Sequence, residues 1–327
     1  MSGFATSIGT LVGKPADAHK SANQYSTMQT HCAKRESKSQ WKEDLRLLSL
    51  LVCAAGGTLS KPIAGHFVEM GAFDGVTHSN TFMLERCMKW KGTLLEANPN
   101  NYKTLMASPR NVTKKWTAIC AEKGELKFDD NVGENSAAAD AMDDGDPKHA
   151  HKKMVSVPCD KLSNVLSDAG APNGGADFLS LDVEGSEATV LKTIYPGVFK
   201  VVIVETFQCC PDGLSTAAAL KQGKSCQCEG AKGAHGREVA NLLAGGGLVR
   251  VPHLESVNHI NHVHVRTDVL TRCNRSIYER SPFHFLLAPT TSSAAPKPSA
   301  KAIKGLSGPQ TKALGARAKG VGGKHKK

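Results

Sequence analysis

Five acidic residues stand within or directly after apolar runs, where their carboxylates could act on one ligand. They are Glu69, Asp74, Glu96, Asp182 and Glu184. A carboxylate accepts hydrogen bonds from amines and hydroxyls, and a well-placed one removes a proton from a reacting group. Gly71 and Gly75 accompany the first two acids, and glycine lets the backbone approach a ligand closely. These residue types indicate a site for a ligand that carries hydroxyl and amino groups.

The apolar runs that carry these acids predict buried β-strands, because each is short and bounded by turn residues. Predicted strands cover residues 66–71, 92–96, 116–121, 177–182 and 201–205, with a hairpin over 248–252 and 262–266. Helix-like segments separate most of them. Strands that alternate with helices predict a parallel sheet, whose ligands bind beyond the carboxyl ends of the strands. The acids lie at those ends.

The charge of the site favours a cationic cofactor. The dinucleotide fingerprint requires G-x-G-x-x-G, and Phe73 stands where the second glycine would be. Acids beside the ligand also disfavour a phosphate, which argues against a nicotinamide oxidoreductase. S-adenosylmethionine carries a sulfonium and an amino group and no phosphate. Glu96 follows Gly75 by 21 positions, a separation that suits the two hydroxyls of a ribose.

Four segments resemble the FkbM-type family of S-adenosylmethionine-dependent methyltransferases. The segments are residues 39–44, 67–81, 95–99 and 177–187. The last, Asp-Phe-Leu-Ser-Leu-Asp-Val-Glu-Gly-Ser-Glu, is the most specific of them. The resemblance covers about Ser39 to Arg266. It implies an α/β fold, class I methyltransferase-like (Rossmann-like), with a mostly parallel seven-stranded sheet and helices on both faces.

The resemblance also implies roles for individual residues. The cofactor-binding positions carried over from the family are Glu69, Gly71, Ala72, Phe73, Asp74, Gly75, Glu96, Ala97 and Asn98. Among them, Glu69, Gly71 and Asp74 would hold the amino-acid end of the cofactor, and Glu96 its ribose. Asp182 and Glu184 would lie at the boundary between cofactor and methyl acceptor.

Methyl transfer to a hydroxyl requires alignment of the two reactants and removal of the acceptor's proton. Asp182 and Glu184 are two residues apart in an extended segment, so both could face the crevice. His78 is another candidate base, with a structural hydrogen bond to its loop as the alternative. We therefore predict Asp182, Glu184 and His78 as catalytic residues. The acceptor is predicted only as a hydroxyl of a small molecule, glycan or lipid.

The chain of 327 residues divides by composition. We predict a flexible segment over 1–38, a methyltransferase domain over 39–289 with a Cys-, Gly- and Lys-rich insertion at about 208–236, and a disordered tail over 290–327. The net charge is +11, yet nine of the 41 basic residues follow Ala288, where no acid occurs. The tail could bind an anionic partner such as nucleic acid or a membrane surface, or serve solubility alone.

The cysteines and the apolar runs bear on the compartment. Cys53, Cys87 and Cys120 lie in apolar runs, which predicts small buried thiols of a reduced compartment. No signal peptide is evident, and residues 47–57 are too few to span a bilayer. We therefore predict a cytoplasmic protein without a transmembrane segment. An organellar protein is the alternative, because residues 1–42 are poor in acids and rich in Ser and Thr, as in a transit peptide. Two glycosylation triplets, at 111–113 and 274–276, are treated as chance matches.

Two clusters of possible metal ligands are weak. Cys209, Cys210, Cys226 and Cys228 lack the paired CxxC spacing of zinc sites, so free thiols or a labile disulfide remain alternatives. The histidines at 253, 259, 262 and 264 have no supporting acid or cysteine pattern. No metal is predicted. The alternative to an enzyme is a catalytically silent scaffold of the same fold that binds partners through its tail.

Overall fold

The computed structural model describes residues 29–130, 153–206, 230–255 and 261–278, all of which belong to one compact unit. Within these ranges the strands are β1 His66–Met70, β2 Lys91–Glu96, β3 Thr113–Trp116, β4 Ala118–Ile119, β5 Gly124–Asp129, β6 Met154–Asp160, β7 Ala176–Leu181, β8 Phe199–Glu205, β9 Leu248–Arg250 and β10 Asn261–Arg266. The helices are α1 over residues 29–36, α2 Glu43–Ala54, α3 Phe82–Met88, α4 Pro99–Ala107, α5 Leu162–Asp168, α6 Glu187–Lys192, α7 Gly230–Gly245 and α8 Thr267–Tyr278.

The larger sheet has seven strands in the order β3-β2-β1-β7-β8-β10-β9. Its first five strands in this order pair in parallel, whereas β10 runs antiparallel to both of its neighbours. The prediction of a mostly parallel seven-stranded sheet is thus confirmed. Met70 pairs with Leu95 on one side and with Leu181 on the other. This register brings the predicted ligand-binding segments to one edge of the sheet.

Helices cover both faces of this sheet because successive side chains of each strand point to opposite faces. Phe67 packs into one core with α2, α3 and α8, and Val68 packs into the other with α5, α6 and α7. Both side chains are fully buried. Such near-continuous apolar strands are typical of a parallel sheet that is buried on both faces.

The predicted strand 116–121 is divided between two sheets. β3 lies at the edge of the larger sheet, and β4 joins a three-stranded sheet in the order β4-β6-β5. The change occurs at Thr117, whose backbone N–H donates to Glu96 O at 3.1 Å. Ala118 then pairs with Cys159 of β6. A continuous apolar run gives no sign of such a change of partner.

The prediction that Cys53, Cys87 and Cys120 are reduced thiols is wrong. The structure contains the disulfides Cys32–Cys87, Cys53–Cys273 and Cys120–Cys159. A buried thiol and a buried half-cystine look alike in sequence, because both occur in apolar surroundings. The four cysteines considered for zinc lie outside the described residues.

Two further differences concern the ends of the fold. Residues 29–36, within the segment predicted to be flexible, form α1, which is tied to α3 by Cys32–Cys87 and buries Ala33 completely. Helix α8, which was not predicted, carries Cys273. The predicted helix 237–244 begins earlier, at Gly230.

No helix within the described ranges is both long and apolar enough to cross a membrane. The predicted basic tail and most of the insertion lie outside those ranges.

Candidate active site

A cleft of about 190 Å³ opens where β1, β2, β7 and β8 end. Six predicted cofactor positions line it: Glu69, Gly71, Ala72, Phe73, Glu96 and Ala97. All three predicted catalytic residues line it as well: His78, Asp182 and Glu184. Asp74, Gly75 and Asn98 do not. The structure thus brings together most of the predicted site, and the roles of the individual residues stay predictions.

Gly71 allows the loop after β1 to touch the end of β7. Its φ is +72°, in the region that favours glycine, and a Cβ at this position would lie 1.9 Å from Asp182 O. Any side chain here would force the two loops apart. The close approach fixes the loop after β1, which carries the predicted cofactor positions, against the loop that carries Asp182.

Glu69 holds the loop that follows β1. Its carboxylate accepts hydrogen bonds from Ser79 Oγ at 2.8 Å, Asn80 N at 2.8 Å and Thr81 Oγ1 at 2.6 Å. Asp74 acts similarly within its own turn, where it accepts from the backbone N–H groups of Val76 and Thr77. Both predicted cofactor acids therefore shape the loop through their own hydrogen bonds.

Arg110 is a site residue that the sequence analysis missed. Its side chain is fully buried, donates to Gly75 O at 2.6 Å and to Thr81 Oγ1 at 2.8 Å, and pairs with Glu85. Its guanidinium carbon lies 5.5 Å from the ring centroid of Phe67. Glu85 and Gly75 lie 25 and 35 positions before Arg110 in the sequence. No local pattern therefore marks Arg110 as part of the site.

Glu96 ends β2 and ties the two cofactor-side loops together. Its carboxylate accepts from Phe73 N and Asn98 N, each at 2.8 Å. Burial raises the pKa of Glu96 to about 7, against the lowering effect of these hydrogen bonds. Asn98 itself caps α4 by accepting from the N–H groups of Asn100 and Asn101. This explains why it lies behind the cleft wall.

On the other side of the cleft, three carboxylates face one another. One oxygen each from Asp182, Glu184 and Glu205 lies within 4.8 Å of the others. Asp182 and Glu205 follow Leu181 and Val204, which pair between β7 and β8, so the two carboxyls lie side by side. Glu205 was missed as a site residue, although it ends a predicted strand at the same edge. Such a set of oxygens could also hold a divalent cation, so the absence of a metal stays a prediction.

Asp182 and Glu205 share a hydrogen bond, and both carboxyls have a raised pKa. Asp182 reaches the open cleft, yet protein surrounds its other sides. The surrounding protein displaces water from these sides, and this desolvation is the main cause that raises the pKa of Asp182 well above its usual range. The hydrogen bond to Glu205 and the repulsion from that residue raise it further. Desolvation likewise raises the pKa of Glu205. Two adjacent carboxyls in one site share a proton because both cannot ionise freely.

The loop after Asp182 has an unusual backbone that Glu187 stabilises. Glu184 has a φ of +53°, a conformation that is uncommon for a residue other than glycine. Glu187 Oε1 accepts from the N–H groups of Val183 and Gly185 at 3.1 Å each. Its other oxygen lies 2.8 Å from His235 Nε2 on α7. His235 thus connects α7, whose first residues belong to the predicted insertion, to the loop of the predicted catalytic acids.

The segment before α2 forms a further wall of the cleft. This wall is lined by Gln40 of that segment, by Glu43 at the start of α2 and by Asn261 at the start of β10. Asn261 Nδ2 donates to Glu43 Oε1 at 2.9 Å. His78 lies on the same side and is exposed. Its φ is +56°, and its backbone forms an isolated parallel β-bridge with Ser39. His78 is therefore accessible to a ligand in the cleft.

This sheet order and a cleft lined by acids define an α/β domain of the class I methyltransferase type. The methyltransferase FkbM domain family matches residues 69–208. The match agrees with the resemblance that the sequence analysis found. The match begins at Glu69 and ends shortly after Glu205, and thus includes Glu69, Glu96, Asp182, Glu184 and Glu205 but not Glu43.

The solved structures similar to this chain include several methyltransferases. A methyltransferase FkbM from Methylobacillus flagellatus is 13% identical over 44% of this chain and 33% of its own length, with a TM-score of 0.28. An O-methyltransferase from Bacillus cereus in complex with S-adenosylhomocysteine is 12% identical over 78% and 93%, with a TM-score of 0.34. An S-adenosylhomocysteine-bound methyltransferase from Podospora anserina is 9% identical over 79% and 99%, also at 0.34. A comparison with curated proteins finds no match.

Proposed function

We propose that the protein is an S-adenosylmethionine-dependent methyltransferase that acts on a hydroxyl oxygen. The observation that carries the proposal is the division of one acid-lined cleft between Glu96, on the β2 side, and the Asp182–Glu205 pair, on the β7–β8 side. A cleft with this charge favours a cofactor that carries a positive sulfonium and no phosphate. The FkbM domain match supports the same class of reaction.

Glu96 is the residue that we expect to hold the ribose. It is buried at the end of β2 and lines the cleft, and its carboxylate accepts from Phe73 N and Asn98 N. An acceptor at this strand end suits the hydroxyls of a ribose. The backbone of residues 71–73 forms the adjacent cleft wall, where the amino-acid end of the cofactor would lie. Glu69 and Asp74 would support this wall through the loop that they hold.

The cofactor would supply an electrophilic methyl group when bound. The Asp182–Glu205 pair would orient the acceptor hydroxyl and take up its proton as the new carbon–oxygen bond forms. A pair that shares one proton keeps one negative charge, and that charge can accept the hydroxyl hydrogen bond. Glu184 and His78 line the same space and are the alternative proton acceptors. The acceptor would be a hydroxyl on a small molecule, glycan or lipid.

Calorimetric titration of the full chain with S-adenosylhomocysteine tests the cofactor. We expect binding in the wild type and a loss of affinity in Glu96→Ala. Glu122→Gln, which neutralises an exposed acid paired with Lys161, is the matched control and should bind as the wild type does. A wild-type chain that binds no ligand at millimolar concentration would favour the silent scaffold.

A second assay tests the oxygen acceptor. The chain is incubated with S-adenosylmethionine labelled in its methyl group and with acceptors that differ only in a hydroxyl or an amine. Label on the hydroxyl acceptors alone supports O-methylation. Label on the amine acceptors alone would keep the methyltransferase and reject the oxygen specificity.

A further inference from the structure

Disulfides connect elements throughout the described part of the chain. The bridges Cys32–Cys87, Cys53–Cys273 and Cys120–Cys159 join residues 55, 220 and 39 positions apart. Their Cα–Cα distances of 5.7 to 5.9 Å lie in the usual range for disulfides. No described cysteine is free. Disulfides form and persist in oxidising compartments and are rare in the cytosol of mesophiles.

An oxidising compartment changes the meaning of the triplet Asn111-Val112-Thr113. This triplet is an acceptor for N-linked glycans only in proteins of the secretory route. Asn111 and Thr113 are exposed, whereas Val112 is half-buried and packs against the core. The side chains of Asn111 and Thr113, which a glycan transferase recognises, are therefore exposed to solvent, whereas Val112 between them is held against the core.

The surroundings of Asn111 leave its side-chain amide accessible. Its backbone N–H donates to Glu85 Oε1 at 2.7 Å, which fixes the position of the loop between α4 and β3. The side-chain amide makes no hydrogen bond to any described residue. The neighbouring Arg110 points inward and is fully buried, so Asn111 is held at the surface by its neighbour.

The same position suits a bulky group. β3 begins at Thr113 and lies at the edge of the larger sheet, where unpaired backbone groups would otherwise be open to another chain. Trp116, at the other end of this strand, is 40% exposed. Residues 111–113 do not line the cleft. A glycan here would cover the sheet edge and leave the active site open.

We propose that the protein folds in an oxidising lumen and carries an N-linked glycan on Asn111. The donor is a glycan joined to a lipid pyrophosphate, and a host transferase catalyses the step. The amide nitrogen of Asn111 forms a bond to the anomeric carbon, the bond from that carbon to the pyrophosphate oxygen breaks, and the lipid pyrophosphate leaves. The amide proton passes to the transferase base. The hydroxyl of Thr113 completes the recognised triplet.

The modification is tested with the full chain directed to the lumen of a eukaryotic cell by an added leader. We expect treatment with a peptide N-glycosidase to increase the electrophoretic mobility and leave an aspartate at position 111, detected by peptide mass spectrometry. Asn111→Gln and Thr113→Ala should abolish the modification at this position. Thr113→Ser keeps the hydroxyl and should retain it. Peptide mass spectrometry reports position 111 separately from the triplet at 274–276, so occupancy of the latter does not confuse the result.

The compartment is tested on the chain isolated from its own cells. Thiols are blocked with an alkylating reagent at lysis, and the peptides are analysed without reduction. We expect the three disulfides and a glycan on Asn111. Unmodified Asn111 in the lumenal chain would overturn the glycan on this residue. Alkylated thiols at Cys53 and Cys87 in the native chain would overturn the oxidising compartment and favour the cytoplasm that the sequence predicts.

Discussion

On the β1–β2 side of the cleft, Glu69 and Glu96 accept hydrogen bonds from the loops around them. On the β7–β8 side, Asp182, Glu184 and Glu205 face one another, and their carboxylate oxygens lie within 4.8 Å. The two sides use the same residue type for different purposes. Carboxylates with backbone and hydroxyl donors hold the loops in shape, whereas crowded carboxylates hold a proton.

In the proposed function, this difference separates cofactor binding on the β1–β2 side from the reaction on the β7–β8 side. The β1–β2 side depends on donors that lie within the protein, so its shape exists before any ligand arrives. The β7–β8 side has more negative charge than it can neutralise internally, and it therefore gains most from a ligand that brings a positive charge and a hydroxyl proton. Variants on the two sides should affect different measurements.

The largest effect should come from Asp182→Asn. Asparagine keeps a hydrogen bond to Glu205 but cannot take up a proton, so we expect kcat to fall by roughly 10²- to 10⁴-fold. S-adenosylhomocysteine affinity and thermal stability should change little. Asp168→Asn, at an exposed position on α5, is the matched control. Full activity of Asp182→Asn would remove this residue from the mechanism.

Arg110→Met tests whether the internal hydrogen bonds build the cofactor side. The substitution leaves Glu69 and Glu85 buried without their cation, which costs about 3–5 kcal/mol in the free energy of unfolding. Denaturant unfolding of Arg110→Met measures this loss, and calorimetry should show weaker cofactor binding at temperatures where the chain remains folded. Arg35→Met, at a largely exposed side chain, should leave both unchanged. Equal stability of the two variants would contradict the role of Arg110.

The pH dependence of cofactor binding isolates Glu96. A ribose hydroxyl donates to the ionised carboxylate, and burial raises the pKa of Glu96 to about 7. Affinity for S-adenosylhomocysteine should therefore be constant well above pH 7 and fall as the pH drops through that value, by up to about tenfold per pH unit. Glu96→Gln should bind more weakly and lose this step. The same pH profile in both proteins would assign the titration to another group.

The sequence predicted the part of the fold that depends on short-range pattern. The apolar runs at 66–71 and 177–182 gave the correct strands, because both lie in the sheet centre and are buried on both faces. The division of 116–121 and the helix α8 were missed. Both depend on contacts distant in sequence, namely the pairing of Ala118 with Cys159 and the Cys53–Cys273 bridge.

The candidate site shows the same limit. Asp182 and Glu96 were found because acids at strand ends have a recognisable position. Arg110 and Glu205 were missed since their importance comes from partners that the fold brings close, such as Glu85 and Asp182. The sequence also could not show that Glu69 holds its own loop, because its donors Ser79 and Thr81 are ordinary residues for a turn.

The smallest effect should come from His235, which contacts Glu187 in the loop of the predicted catalytic acids. His235→Gln removes the ring contact at 2.8 Å, while Glu187 keeps its two backbone donors at Val183 and Gly185. We therefore expect kcat to fall by only about 3- to 10-fold, equivalent to roughly 1 kcal/mol for one hydrogen bond. Cofactor affinity should be unchanged, since the β1–β2 side does not involve this contact. Glu238→Gln removes an exposed ion pair on the same helix and should have no effect on kcat. A loss of cofactor affinity in His235→Gln, with kcat unchanged, would contradict the proposal that the β1–β2 side binds the cofactor and the β7–β8 side takes part in the reaction.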